Sequence, residues 1–99
     1  QSILVVLALA GAVLTPSAGQ AQDTPNCISW QTRLRYLGFA YDHIVDISNR
    51  CEKAATCRVR TDVNPQWQTV SVPAKQTVEV VTMMGSPARE FKAEVECKN

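Results

Sequence analysis

The four cysteines, Cys27, Cys51, Cys57 and Cys97, limit what this chain of 99 residues can fold into. An even number of cysteines in a short secreted chain is typical of a disulfide framework. Zinc sites favour cysteines separated by about two to four residues, with a second such pair or with histidines, and the only histidine here is His43. A thioredoxin-like redox site requires the C-x-x-C spacing, whereas five residues separate Cys51 from Cys57. The pattern therefore predicts two disulfides, with no metal and no other cofactor.

The sequence also suggests how these cysteines pair. Chain entropy does not decide among the three pairings that four cysteines allow. The segments HIVDISN and CRVRTDV both have the pattern of strands and flank a short polar link, which predicts a hairpin with Cys51 and Cys57 facing each other across its neck. Cys27 and Cys97 would then join the first and last strands. The alternative pairs Cys27 with Cys51 and Cys57 with Cys97.

An apolar N-terminal run indicates export. The segment ILVVLALAGAVL, residues 3–14, is followed by the small and polar residues TPSAGQAQ, and the first charged residue is Asp23. This pattern is typical of a secretory signal peptide, and it is shorter than the roughly 20 apolar residues of a membrane-spanning helix. We expect a signal peptide over residues 1–21, truncated at its start because the chain begins at Gln1 without a Met, and a single mature domain over residues 22–99. The mature protein would be secreted or periplasmic and would not associate with a membrane.

Alternating apolar and polar residues predict strands throughout the mature chain. Six segments have this pattern: WQTRLRY, YDHIVDISN, CRVRTDV, QWQTVSV, QTVEVVTMM and EFKAEVECK. Gly38 and the segments NPQ, PAK and GSP provide turns between them. We therefore expect an all-β, antiparallel sandwich of about six strands that is crosslinked by two disulfides. In the first strand, the alternation places Trp30, Leu34 and Tyr36 on the face that packs into the core.

Two segments resemble known domains. VSVPAKQTVEV is similar to the strand, turn, strand segment of immunoglobulin-like bacterial domains, which usually have glycine near the turn where this chain has Ala74 and Lys75. NRCEKAATC resembles a cysteine-closed hairpin of small exported bacterial domains of no assigned function. The resemblance implies an immunoglobulin-like sandwich and assigns no activity.

The charges are nearly balanced, with ten basic and nine acidic residues. This balance provides no strong field for binding nucleic acid or an anionic membrane. Basic residues nevertheless concentrate around the predicted hairpin. Arg50, Lys53, Arg58 and Arg60 form a candidate binding patch for a protein or an anionic polymer in the envelope or outside the cell. In the alternative interpretation, these arginines pair with aspartates of neighbouring strands.

No set of residues matches a catalytic signature. His43, on the inward face of a predicted strand, is typical of a core histidine that bonds to the backbone. A Ser-His-Asp site would need a serine in a G-x-S-x-G elbow, which is absent from the sequence, and a blue-copper site needs two histidines. Trp67 follows a proline turn and is expected to be more accessible than Trp30.

We therefore predict a non-enzymatic, exported binding or structural domain whose contact surface is the basic, disulfide-closed hairpin. Exposed edge strands leave self-association open. Two alternatives remain. One is a small exported hydrolase or nuclease that uses His43, and the other is an inhibitor of an exported enzyme that inserts the loop EKAAT.

Overall fold

Six antiparallel strands make up the regular structure of the described residues. In a computed structural model, which describes residues 24–99, they are β1 (Ile28–Tyr36), β2 (Tyr41–Asn49), β3 (Ala55–Thr61), β4 (Gln68–Val72), β5 (Gln76–Ser86) and β6 (Ala93–Lys98). No helix occurs in this range. The all-β prediction with about six strands and two disulfides is confirmed. The predicted signal peptide, residues 1–21, lies outside the described residues.

The strands form two sheets that enclose one core. The first sheet has the order β1-β2-β5, and the second has the order β4-β3-β6. Apolar side chains from both sheets meet between them: Ile28, Val45, Ile47 and Val80 from the first, and Cys57, Val59, Val72 and Cys97 from the second. A fully buried valine or isoleucine stabilises the fold by about 1.5–3 kcal/mol relative to an exposed one. The alternation that predicted the strands therefore also identifies most of this core.

The predicted hairpin between the second and third strands does not exist. β2 pairs with β1 and β5, and β3 pairs with β4 and β6, so residues 50–54 cross from one sheet to the other. Asn49 holds this crossing: its amide nitrogen donates to the carbonyls of Lys53 and Val72, and its amide oxygen accepts from the Cys51 N–H. A short polar link between two strand-like segments fits a crossing as well as a hairpin, which is why the local pattern misled.

The predicted pairing of the cysteines is consequently wrong. Cys27 bonds Cys51, with 5.2 Å between their Cα atoms, and Cys57 bonds Cys97 at 4.0 Å. The first disulfide lies where the β1–β2 ladder ends, and the second joins directly opposed residues of β3 and β6. Each disulfide therefore crosslinks strands of a single sheet, and cysteines on either side of the crossing cannot face each other as in a hairpin.

β1 is far more exposed than its alternating sequence predicts. Only Ile28 is buried along this strand, and Trp30 and Leu34 are 40% and 38% exposed. The register places Trp30 opposite Ile47 and Leu34 opposite His43, so both lie on the core-facing side of the sheet. Because β1 is the outermost strand of its sheet, the second sheet does not cover these side chains. The prediction that Trp30 belongs to the core is therefore wrong.

Candidate functional site

Large apolar side chains are exposed at one end of the first sheet. The turn between β1 and β2 carries Leu37 and Phe39. Tyr36 is the last residue of β1, and Met84 lies two residues before the end of β5. Phe39 is 85% exposed and Met84 is 77% exposed. We call these four residues, Tyr36, Leu37, Phe39 and Met84, the apolar tip. The sequence indicates this tip through Leu37 and Phe39, two apolar residues on either side of Gly38 in a turn, where residues are usually polar.

The backbone around the apolar tip is held by hydrogen bonds. The Leu37 N–H donates to the Ala40 carbonyl at 2.8 Å, and the Tyr36 hydroxyl donates to the Gly38 carbonyl at 2.8 Å. Gly38 has a φ of +94°, a conformation that side chains with a Cβ rarely adopt. The Gly85 N–H donates to an Asp42 carboxylate oxygen, which ties the end of β5 to the start of β2. These hydrogen bonds hold the turn between β1 and β2 and link the end of β5 to β2.

The four basic residues of the predicted patch occupy two different places. Arg58 and Arg60 point outward from β3 in the second sheet, whereas Arg50 and Lys53 lie in the crossing at residues 50–54. The Arg50 guanidinium donates to the Ser29 hydroxyl at 3.3 Å. The basic residues are thus brought together in two pairs and not around a disulfide-closed hairpin.

Arg58 and Arg60 are already engaged by neighbouring side chains. Arg58 forms an ion pair with Glu96 at 2.6 Å, and Arg60 forms one with Glu94. Both guanidinium carbons lie over the ring of Trp67, at 4.2 and 4.3 Å from its centroid, a geometry in which cation–π attraction is favourable. Trp67 is half-buried as a result, which overturns the prediction that it is freer than Trp30.

The outer face of the first sheet is covered by a network of paired charges. Arg33 contacts Asp46 and Glu79, each at 2.6 Å, and Arg35 contacts Asp42 and Glu79 at 3.2 and 3.3 Å. The hydrogen bonds that Arg33 donates to Asp46 and, with a smaller effect, to Glu79 raise the pKa of Arg33 above its usual value. This network neutralises both arginines of β1, so this face presents no free positive charge from them.

His43 is enclosed within the domain. Its ring is fully buried, its Nε2 lies 2.8 Å from the Ala88 carbonyl oxygen, and it stacks on Phe91 with the ring centroids 4.4 Å apart. Since a carbonyl only accepts, Nε2 carries the proton and donates. The predicted backbone hydrogen bond of a core histidine is confirmed. Nδ1 is buried without a hydrogen-bond partner in the part of the chain that the structure describes.

An open groove of about 650 Å³ runs beside β1. Thr32, Arg33 and Leu34 line one side of it, and Asp62 and residues 89–92 line the other. Between residues 24 and 99, no group of three or more histidine, cysteine, aspartate or glutamate side chains is placed to hold a metal ion. Within the same range, no helix is long and apolar enough to cross a membrane.

Comparisons with known proteins give no relative. No protein-family model, no curated protein and no solved structure matches the chain. The function must therefore be argued from the chemistry of the exposed surfaces.

Proposed function

We propose that this chain is a non-enzymatic domain of an exported protein and that it acts by binding a protein partner through the apolar tip. The observation that carries the proposal is the exposure of Phe39, in the turn between β1 and β2, and of Met84, at the same end of β5. Exposed apolar clusters mark interaction sites in soluble proteins, and aromatic side chains dominate the binding energy of protein interfaces. Loops that a rigid sheet positions are where binding residues concentrate.

We propose in addition that the fold is an immunoglobulin-like sandwich. In such domains, strands A, B and E share one sheet, and strands C and F pair in the other. The order β1-β2-β5 and β4-β3-β6 supports this assignment if β3 and β6 correspond to C and F. Among the described strands, none takes the place of strand G beside β6. An immunoglobulin-like sheet pair of this kind is a common framework for presenting a binding loop at one end.

The two disulfides support export. They indicate an oxidising environment, because thiols are kept reduced in the cytosol. Together with the apolar N-terminal run of the sequence, they favour a secreted or periplasmic protein. The proposed partner is then a protein of the envelope or the exterior.

The predicted basic patch is a weaker candidate for the contact surface. The guanidinium groups of Arg58 and Arg60 already have glutamate and tryptophan partners. A partner that used them would first have to displace these internal contacts. Arg50 and Lys53 are exposed and remain the basic residues best placed to contact an acidic partner.

The test compares two double variants in binding to the partner. Partners are first recovered by crosslinking the exported protein in intact cells, and binding of the purified partner is then measured by titration calorimetry. We expect Phe39→Ser with Met84→Ser to weaken binding by about 30-fold, the effect of losing an interface hot spot of about 2 kcal/mol.

The control is Arg50→Glu with Lys53→Glu, which reverses the exposed basic charges and leaves the apolar tip intact. It should bind like the unaltered protein. The opposite result, with binding lost in the charge variant and kept in the tip variant, would place the contact surface on the crossing and contradict the proposal. Both double variants alter exposed side chains, so thermal unfolding should show that both are folded.

A further inference from the structure

The free edge of β1 offers unpaired backbone groups. At one end of the β1–β2 ladder the Leu37 N–H donates to Ala40, and at the other the Arg50 N–H donates to the Cys27 carbonyl. Hydrogen-bonded pairs alternate along an antiparallel ladder, so the odd-numbered residues of β1 bond to β2. The N–H and C=O groups of Trp30, Thr32 and Leu34 therefore point away from β2. Within residues 24–99, these groups have no hydrogen-bond partner.

β1 also lacks the features that protect other edges. Natural edge strands avoid pairing by being short or bulged, or by carrying proline or inward-pointing charges. β1 has nine residues in unbroken register, no proline, and exposed apolar side chains on its inner face. Its outward arginines are neutralised by the charge network on the first sheet.

The other three edges are protected. β5 has two register shifts against β2, and β4 has only five residues. The edge of β6 is partly occupied, because the Cys97 N–H donates to the Thr24 hydroxyl. Among the described strands, β1 is thus the edge best prepared to accept another strand.

We propose that two copies of this domain associate by antiparallel pairing of β1 with β1 around a two-fold axis at Thr32. The two first sheets would then form one continuous sheet of six strands. This inference goes beyond the proposed function, since it assigns a second surface and a different partner. Leu37, Phe39 and Met84 of the apolar tip lie outside β1 and stay free in the dimer.

The register follows from the strand itself. In β1 only the even-numbered residues have N–H and C=O groups that point away from β2. An even-numbered residue of one copy can therefore pair only with an even-numbered residue of the other. The Ile28 N–H already donates to the Pro25 carbonyl, so the free groups lie on Trp30, Thr32 and Leu34. Thr32 is the midpoint of this segment and of β1, and only a two-fold axis there pairs the segment with itself. It sets Trp30 of each copy against Leu34 of the other, which covers both exposed side chains.

The same register avoids a clash of charges. With the axis at Thr32, Arg33 of one copy faces Gln31 of the other. Moving the axis by one residue to Arg33 would place the two Arg33 side chains directly opposite, and like charges in that position destabilise a strand pair. Sequence and charge therefore select the same register.

The main test is the mass of the disulfide-bonded protein by sedimentation equilibrium over a concentration series. We expect the unaltered protein to have twice the monomer mass at the upper concentrations. Thr32→Pro should be monomeric, because it removes an edge N–H and leaves every bond to β2 in place; proline is tolerated on edge strands. Leu34→Lys should also be monomeric, since it places a charge on the inner face of the paired strand.

Phe39→Lys is the matched control. It introduces the same charge at a more exposed apolar residue that lies outside β1, so the dimer should persist. Amide hydrogen exchange provides the register: the Trp30, Thr32 and Leu34 amides should exchange more slowly at high concentration, whereas the Gln31 and Arg33 amides are already protected by β2.

Three results would overturn the proposal. The first is a monomer at all concentrations. This includes a protein that is monomeric alone and whose β1 amides become protected only when a different protein adds a strand to the edge. The second is a dimer that persists in both Thr32→Pro and Leu34→Lys. The third is loss of the dimer in Phe39→Lys, which would place the contact at the apolar tip. Because the apolar tip is tested separately by partner binding, failure of the dimer leaves the proposed function standing.

Discussion

Asn49 is the residue on which the crossing between the sheets depends. It is 1% exposed, and all the hydrogen bonds of its side chain are to backbone groups. A buried polar group that loses a partner costs about 1–3 kcal/mol. The Asn49 side chain thus bonds to backbone groups of both the crossing and β4.

We predict that Asn49→Asp destabilises the domain although it hardly changes the size of the side chain. A carboxylate has no N–H to donate, so it would face the carbonyls of Lys53 and Val72 as a buried, unpaired charge. We expect the free energy of unfolding to fall by about 3 kcal/mol, measured by urea denaturation at neutral pH. Asn26→Asp, at an exposed position, is the control and should change it by less than about 0.5 kcal/mol. Equal midpoints for the two variants would contradict the role of Asn49.

Single residues also show where sequence reasoning succeeds. The inward position of His43 and its bond to the backbone followed from the alternation of its own strand. Its stacking on Phe91 did not, because Phe91 is distant in the sequence and meets His43 only after the sheets pack. Trp30 obeyed the alternation and is nevertheless exposed. A strand's pattern tells which face a residue occupies, and whether that face is covered depends on the other sheet.

At the scale of elements, local signals located the strands but not their partners. The bounds of β2 are those that the sequence predicted, because a regular alternation ends at Gly38 on one side and at a polar link on the other. β5 continues into the predicted turn at residues 85–87 and ends at Ser86, and Gly85 adopts a φ of +64°. The pairing of β3 with β6 joins segments far apart in the sequence, and no local feature specifies it.

The same limit applies to the candidate site. The glutamates of EFKAEVECK alternate with lysines, as on a solvated face, and nothing in that segment identifies Arg58 and Arg60 as their partners. That assignment requires the β3–β6 register. The apolar tip, in contrast, had a local signal in the apolar residues beside Gly38, and a search for apolar turns would have found it.

The two disulfides differ in accessibility, and this difference predicts the order of their reduction. Cys57 and Cys97 are almost fully buried between the sheets, whereas Cys27 is only half-buried at the end of its ladder. We expect mild reductant to cleave the Cys27–Cys51 disulfide first while the domain stays folded. Timed alkylation followed by peptide mass spectrometry measures this order. In urea, both disulfides should be reduced together. Earlier labelling of Cys57 and Cys97 under native conditions would contradict the prediction.

At the scale of the whole molecule, each sheet has its own disulfide. Cys27–Cys51 joins β1 to β2, and Cys57–Cys97 joins β3 to β6, so no disulfide links one sheet to the other. The sheets are held together by the shared core and by the chain segments that cross between them. The two disulfide loops, with sequence separations of 24 and 40 residues, do not overlap. Their effects on the unfolded chain should therefore add.

The combined stabilisation by the two disulfides is comparable to the total free energy of unfolding of a typical domain, about 5–15 kcal/mol. Closing loops of these lengths stabilises the folded state by about 7 kcal/mol in the chain-entropy model. A core in a domain of fewer than about 80 residues rarely supplies more than about 3–5 kcal/mol. Loss of both crosslinks would thus cost more free energy than a core of this size supplies. The fold should therefore depend on the disulfides.

We therefore predict that full reduction unfolds the domain under conditions in which the oxidised protein is stable. Circular dichroism during heating should show a cooperative transition for the oxidised protein and none for the protein kept in strong reductant at neutral pH. Reoxidation in a glutathione buffer is the control, and it should restore the transition together with the pairs Cys27–Cys51 and Cys57–Cys97. If the reduced protein kept a transition within a few degrees of the original, the core would be sufficient alone. The disulfides would then constrain local geometry without determining the stability of the fold.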